Sequence, residues 1–164
     1  DESGCNTDMT RRYAYSLGGS RAVDSAPLSK PKNTTILSSI QLDGTFRYTT
    51  FSGGTTVEHL KQYLKEELLP HLNCDSVLVM DNMKSHHAKA VKDLLDCSGV
   101  RYIYLPPYSP DLNPIEKLWS KVKALLRKFK ARPLDALPNA IQHAFQNVSP
   151  SDCSGWFRSC GYAL

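Results

Sequence analysis

The sequence predicts one α/β domain, a mixed sheet with helices packed on it. Three observations carry this. Two runs rich in β-branched and aromatic residues, 34–42 and 45–51, meet at Asp43-Gly44 and read as a hairpin. Two short apolar runs, 76–81 and 100–105, flank one helical pattern, which implies a parallel pair joined by a crossover helix. A long amphipathic pattern begins at Ile115. At 164 residues the chain is one domain, large enough to fold around a core without a disulfide or metal staple.

Residues 1–34 are polar and rich in turn formers, with one short strand predicted over Tyr13–Leu17 before Gly18-Gly19. After the hairpin, Gly53-Gly54 ends the unit, and Thr55 with Glu58 three residues on reads as a capping box. Val57, Leu60, Leu64 and Leu68 then recur at helical spacing until Pro70 stops the helix. The run SVLVMD, 76–81, reads as a strand buried on both faces. Ala88, Val91, Leu94 and Leu95 mark a helix that ends near Ser98-Gly99, and VRYIYL, 100–105, is the next strand. The segment PPYSPDLNP, 106–114, is a proline-stiffened loop in which Asn113 suits an N-cap and Pro114 the first helical position. Ile115, Leu118, Trp119, Val122, Leu125, Leu126 and Phe129 form one apolar stripe behind it. Two further helices are predicted, Leu134 to Phe145, interrupted at Pro138, and Ser149 to Cys160. This order describes an α/β domain of ribonuclease-H-like type, whose first strand is expected just before Asp1.

Composition narrows the class. Hydrophobic residues at 41% and charged residues at 22% exclude a disordered or fibrous chain. No apolar run approaches the roughly 20 residues of a membrane span, and DESGCNTDMTRR at the start is no signal peptide. A net charge of +4 permits a polyanionic partner without demanding one. Five cysteines, an odd number without a C-x-x-C pair, read as reduced thiols of an intracellular protein. Because position 1 is Asp, the chain reads as a fragment or a processed product.

Three acids stand where such a sheet can bring them together. Asp81 ends a buried strand, the usual rim for a site in an α/β fold. Glu116 lies in the first turn of the long helix, and Asp1 stands where the first strand should end. Three carboxylates at one rim repel one another unless cations share the site. Two hard divalent ions would relieve that repulsion and equip the site for phosphodiester chemistry. Each acid also has an ordinary reading. Glu116 could complete a capping box with Asn113, Asp81-Asn82 could be a strand-ending turn, and Asp1 could be a chain end without a role.

VLVMDNMKSHHAKAV followed by IYLPPYSPDLNPIEKLWSKVK resembles the catalytic domain of mariner-like insertion-sequence transposases of the DDE type. The resemblance runs from Asp1 to about Phe129, and the 34 residues between Asp81 and Glu116 match that family's spacing. It implies a retroviral-integrase-like fold and a cut-and-paste reaction, in which transposon ends are cleaved and the 3′-hydroxyl is joined to target DNA, at TA. By resemblance Asp1, Asp81 and Glu116 are the catalytic acids and hold two Mg²⁺ ions, with Mn²⁺ as substitute. The partners implied are terminal inverted repeats and target DNA, with a homodimer in the active complex and no membrane. The family also carries a strand before the first acid and helix-turn-helix modules before that. The compartment implied is a bacterial cytoplasm, or the nucleus of a eukaryotic host. Two alternatives stay open: an endonuclease of the same fold without strand transfer, and a catalytically silent DNA-binding module derived from a transposase.

His86 and His87 point to different helix faces, which disfavours joint metal ligation; His86 is expected near the active-site helix, as a structural or phosphate-contacting residue. At 3.6 residues per turn, Lys123, Arg127 and Lys130 fall within about 40° of Glu116, so one helix face offers both an acid and a row of cations. That row is either an ordinary solvated face or a phosphate track leading DNA to the acids. Arg11 and Arg12 with Tyr13 are weaker candidates for the same track.

Overall fold

The computed structural model describes residues 1–11, 13–27 and 31–163. β1 (Glu2–Cys5), β2 (Thr34–Ile40) and β3 (Phe46–Ser52) form an antiparallel sheet in that order. β4 (Val77–Met80) and β5 (Arg101–Tyr104) form a separate parallel pair, in register Val77 to Arg101 through Met80 to Tyr104. The helices are α1 (Val57–Tyr63), α2 (Lys89–Ser98), α3 (Ile115–Phe129), α4 (Leu137–Gln146) and α5 (Pro150–Ser159).

β2 is the strand buried on both faces, and its alternation builds two cores. Ile36 faces one, with Cys5, Leu118, Trp119 and Val122 and the α4 residues Ile141 and Phe145. Leu37, one residue on, faces the other, with Leu60, Leu64, Met80, Val91 and Leu95. The outcome is a three-layer domain, α3–α5 on one side of the sheet and α1–α2 on the other. Both layers come from the period of two along a single strand.

The hairpin forms as the Asp43-Gly44 signal predicts. The Gln41 N–H donates to Thr45 O (2.8 Å), and Asp43 Oδ1 accepts from the Thr45 N–H (2.8 Å). Gly44 sits at φ 91°, and a Cβ there would lie 2.7 Å from Pro150 Cα, so the turn can press against the start of α5 only as glycine.

Several sequence expectations are corrected. Asp1, expected at the end of a strand, has a strand, Glu2–Cys5, running on from it, and is itself in the ladder. The Asp1 backbone nitrogen donates to Ser38 O (3.1 Å), and the Ser38 N–H donates to Asp1 O (2.9 Å). Tyr13–Leu17 is no strand: no sheet edge among the described residues runs alongside it, and Tyr13 and Tyr15 are exposed, between β1 and β2. α1 is capped by Thr56, whose Oγ1 accepts from the His59 N–H (3.2 Å), and not by Thr55. Its helical path runs on through a π turn, Leu64–Leu68, and a 3₁₀ turn, Leu69–His71, that holds Pro70 at a position needing no amide donor. β4 is covered on one side only, since Val77 and the β5 residue Ile103 are each about half exposed. Pro138 sits in the first turn of α4 and does not interrupt it.

Candidate active site

Each acid is placed by a different element. Asp1 leads β1, Asp81 directly follows β4, and Glu116 is in the first turn of α3. Asp81 and Glu116 line one cavity of about 380 Å³ with Asn82, Asn113 and the proline loop from Leu105 to Pro110. Asp1 and Asp81 both line the adjoining cleft of about 140 Å³ between β2 and β4, again with Asn113. The charges of Asp81 and Glu116 both act on the backbone nitrogen of Asp1. The three sequence-predicted acids therefore share one end of the domain, grouped around Asn113.

Asp81 is held firmly. His86 Nδ1 donates to its Oδ1 at 2.6 Å, and the Met83 N–H adds a longer bond to the same oxygen (3.3 Å). The His86 ring beside Asp81 holds its carboxyl below the usual carboxylate range. Both donors take Oδ1, which leaves Oδ2 as the oxygen available to anything in the cavity.

Asp1 is turned towards α3. Its Oδ1 accepts from the Glu2 N–H (2.7 Å), and its Oδ2 accepts from Trp119 Nε1 (3.3 Å) and, over a long 3.5 Å, from Asn113 Nδ2. Glu116 is exposed, and its own N–H donates to the Asn113 backbone carbonyl (3.1 Å). The expected Asn113 side-chain cap is thus corrected, and the alternative reading of Glu116 as half of a capping box does not form. Pro114 precedes α3 without any side-chain cap, Asn113 reaches Asp1 instead, and the Glu116 carboxylate is not spent on a cap.

His86, expected as a structural or phosphate-contacting residue, takes the structural placement. Its side chain is 1% exposed, packed beside Asp81, and not on a surface where phosphate would lie. His87 is the outer one of the pair, stacked on Tyr104 and paired with Asn82. Of the basic row on α3, Lys123 and Arg127 are partly exposed, and no carboxylate pairs with either among the described residues. Lys130 lies past the helix end at φ 51°, and its Nζ is held by Asp24 (2.6 Å). Arg12 lies outside the described residues, and Arg11 and Tyr13 sit on the exposed connection.

The donor set is all oxygen, the chemistry of a hard divalent cation. The carboxylates stand apart, however: among the described residues no three His, Cys, Asp or Glu side chains are gathered at ligand spacing. Asn113 and Trp119 are the site residues that sequence reasoning missed. Trp119 follows Glu116 by three positions, one turn along the same helix, and that spacing was the available signal.

A mixed α/β domain with acids on three elements at one end defines a ribonuclease-H-like nuclease fold. The model of the DDE superfamily endonuclease family matches residues 1–137, and the chain belongs to that family. It is 32% identical over 75 residues to the Tc1 transposable element transposase of Caenorhabditis elegans, a stretch covering 46% of this chain and 28% of that protein. Among solved structures it resembles the Mos1 transposase paired-end complex with the left transposon end, with TM-score 0.75 and 18% identity over 96% of this chain and 50% of the Mos1 chain. The Mos1 mariner paired-end complex with Mn gives TM-score 0.74 and 19% identity over 100% and 55% of the two chains. The chain thus spans about half the length of the Mos1 chains and less of the nematode relative.

Proposed function

We propose that this domain is the catalytic domain of a cut-and-paste DNA transposase. It would cleave the ends of a mobile element and join the freed 3′-hydroxyl to target DNA, at TA. The observation that carries the reading is the shared cavity of Asp81 and Glu116, with Asp1 in the cleft that adjoins it at Asp81. The likeness to the Tc1 transposase and to the Mos1 transposase paired-end complexes, one of them with Mn, supports it.

Asp81 through its free Oδ2, Glu116 through its exposed carboxylate, and Asp1 as aimed by Asn113 and Trp119 are the groups that would hold two divalent ions, Mg²⁺ or Mn²⁺. Bound there, such ions supply a nucleophile at neutral pH and neutralise charge on the transferring phosphoryl group. Lys123 and Arg127 carry charge along the helix that presents Glu116, and they would hold backbone phosphates so that the strand runs into the cavity. The loop Leu105–Pro110 lines the same cavity as Glu116 and would limit how a duplex enters it. The substrates would be terminal inverted repeats and target DNA.

A homodimer would be the working form. On the connection between β1 and β2, Tyr13, Tyr15, Leu17 and Val23 are each at least 86% exposed, apolar surface that a second copy would cover. No helix among the described residues is long and apolar enough to cross a membrane, and the protein would act on DNA inside the cell.

The test is Mn²⁺-dependent nicking and joining by the purified protein on supercoiled DNA carrying the element's ends. Wild type should nick and join, and Asp81→Asn and Glu116→Gln should do neither while still binding the ends. Near-normal nicking by Glu116→Gln would overturn the triad. Nicking without joining would reduce the reading to an endonuclease.

A further inference from the structure

His86 has an unusual placement for a histidine that neither ligates nor meets solvent. Its side chain is 1% exposed, and burying a polar ring costs free energy unless its nitrogens are satisfied. The chain satisfies Nδ1 locally. Nδ1 lies 2.6 Å from Asp81 Oδ1 and 3.2 Å from the Asp81 backbone oxygen, so one N–H is directed at one residue twice over.

The ring is itself held by its backbone. The His86 N–H donates to Met83 O (3.0 Å), and Tyr104 at the end of β5 donates its hydroxyl to His86 O (2.9 Å). The Met83 N–H returns to Asp81 Oδ1. Residues 81–86 thus close a loop of bonds that starts and ends on Asp81 and is pinned to the neighbouring strand. Glu2 interacts electrostatically with both His86 and Asp81, and its buried Oε2 has no hydrogen-bond partner among the described residues.

We propose that His86 is a positioning residue for Asp81. By engaging Oδ1 it fixes the carboxylate torsion, so that Oδ2 alone, in one direction, faces the cavity shared with Glu116. The inference rests on the metal-binding reading above. Partners of this kind fix a ligand's orientation, and their loss costs roughly 10–100-fold in metal affinity or activity.

Asn and Gln discriminate the mechanism. The Asn amide nitrogen overlays Nδ1 of a histidine, whereas the Gln amide nitrogen overlays Nε2. Only His86→Asn keeps a donor towards Oδ1, although both variants bury an amide. The experiment titrates Mn²⁺ alone into the whole chain by calorimetry, with thermal melts of each variant run alongside. His86→Gln and His86→Ala should bind Mn²⁺ about 10–100-fold more weakly than wild type, and His86→Asn should stay within about threefold. DNA cleavage should follow the same order. Equal Mn²⁺ affinity in wild type and a folded His86→Gln would overturn the proposal. So would equal losses in His86→Asn and His86→Gln, since that marks a packing role. If His86→Ala does not melt cooperatively, the Asn and Gln pair decides. Failure of wild type itself to bind Mn²⁺ would overturn the metal reading, and this inference with it.

Discussion

Asn113 donates from Nδ2 to Asp1 Oδ2, across 112 positions of sequence. The residue best suited to cap α3 therefore serves the first acid, and α3 starts at Pro114 without a side-chain cap. Trp119 reaches the same oxygen from one turn further along. The two donors tie the strand that carries Asp1 to the helix that carries Glu116, so the spacing of those acids depends on both.

Asn113→Ala is therefore expected to separate activity from stability. Loss of a true cap costs about 1 kcal/mol. A side chain that only aims an acid should cost less than about 0.5 kcal/mol when removed. Cleavage should fall on the order of 10–100-fold, because small misplacements of a reacting group are costly. Trp119→Phe removes the other donor and should lower nicking likewise, but it also trims a buried core ring and should therefore lower the melting point as well. Melting curves beside nicking rates check both. A drop of a full kcal/mol with normal nicking would restore the capping role.

Most of the fold was legible in the sequence, and the misreadings have physical causes. Asp43-Gly44, Gly99 after α2 and the stripe from Ile115 to Phe129 are local signals and formed as read. Tyr13–Leu17 has strand composition, but an isolated strand has no ladder partner, and composition cannot supply an edge. The acids were singled out by spacing and resemblance. Their supports were not, because Asn113 to Asp1, Trp119 to Asp1 and Tyr104 to His86 are contacts between elements distant in sequence. The burial of His86 is also a tertiary fact, since two adjacent histidines look alike until one strand covers one of them.

The α3 cations are not equivalent, and salt dependence should reveal it. Lys123→Ala with Arg127→Ala should weaken binding to all duplexes alike and flatten the slope of log K against log salt by roughly 0.9 per lost phosphate contact. Lys130→Ala should change that slope less, because its Nζ already pairs with Asp24. Titrations at several salt concentrations decide it. An unchanged slope in the double variant would make the face plain solvated surface.

Tyr63 tests the packing behind the site. Its hydroxyl lies 2.7 Å from Ser39 Oγ and donates to Arg47 O (3.0 Å), and burial pushes its pKa up to about 12. Tyr63→Phe leaves the ring in place and removes both bonds, so it should cost about 1 kcal/mol. Ser38 Oγ still donates to Arg47 O (2.7 Å), which keeps that carbonyl satisfied. Chemical denaturation with an unchanged m-value would check this, and a loss above about 3 kcal/mol would mean that the hydroxyl supports more than these two partners.

The last expectation concerns acid. Asp152 accepts from Lys121 Nζ (2.5 Å) and from the Ser149 N–H (2.8 Å), while Ser149 Oγ accepts from the Asp152 N–H (3.2 Å), a closed capping box at the start of α5. The Lys121 ammonium is the main cause that holds the Asp152 carboxyl at about 2. A carboxyl lower in the folded chain than in the unfolded one stabilises the fold above its ordinary value of 3.8, and that contribution is lost as pH falls from there towards 2. Asp152→Asn should therefore melt lower than wild type at pH 7, by about 1 kcal/mol as for other caps, and the gap should narrow on going to pH 3 and below. The consequence reaches the site, because α5 leads into Tyr162, whose hydroxyl donates to Leu112 O (3.0 Å) in the loop just ahead of Glu116. Loosening α5 should thus lower nicking as well as the melting point. Paired melts of the two proteins at pH 7, 5 and 3 make the check, and a gap that stays constant or widens with acid would show that the charge of Asp152 is not what holds α5.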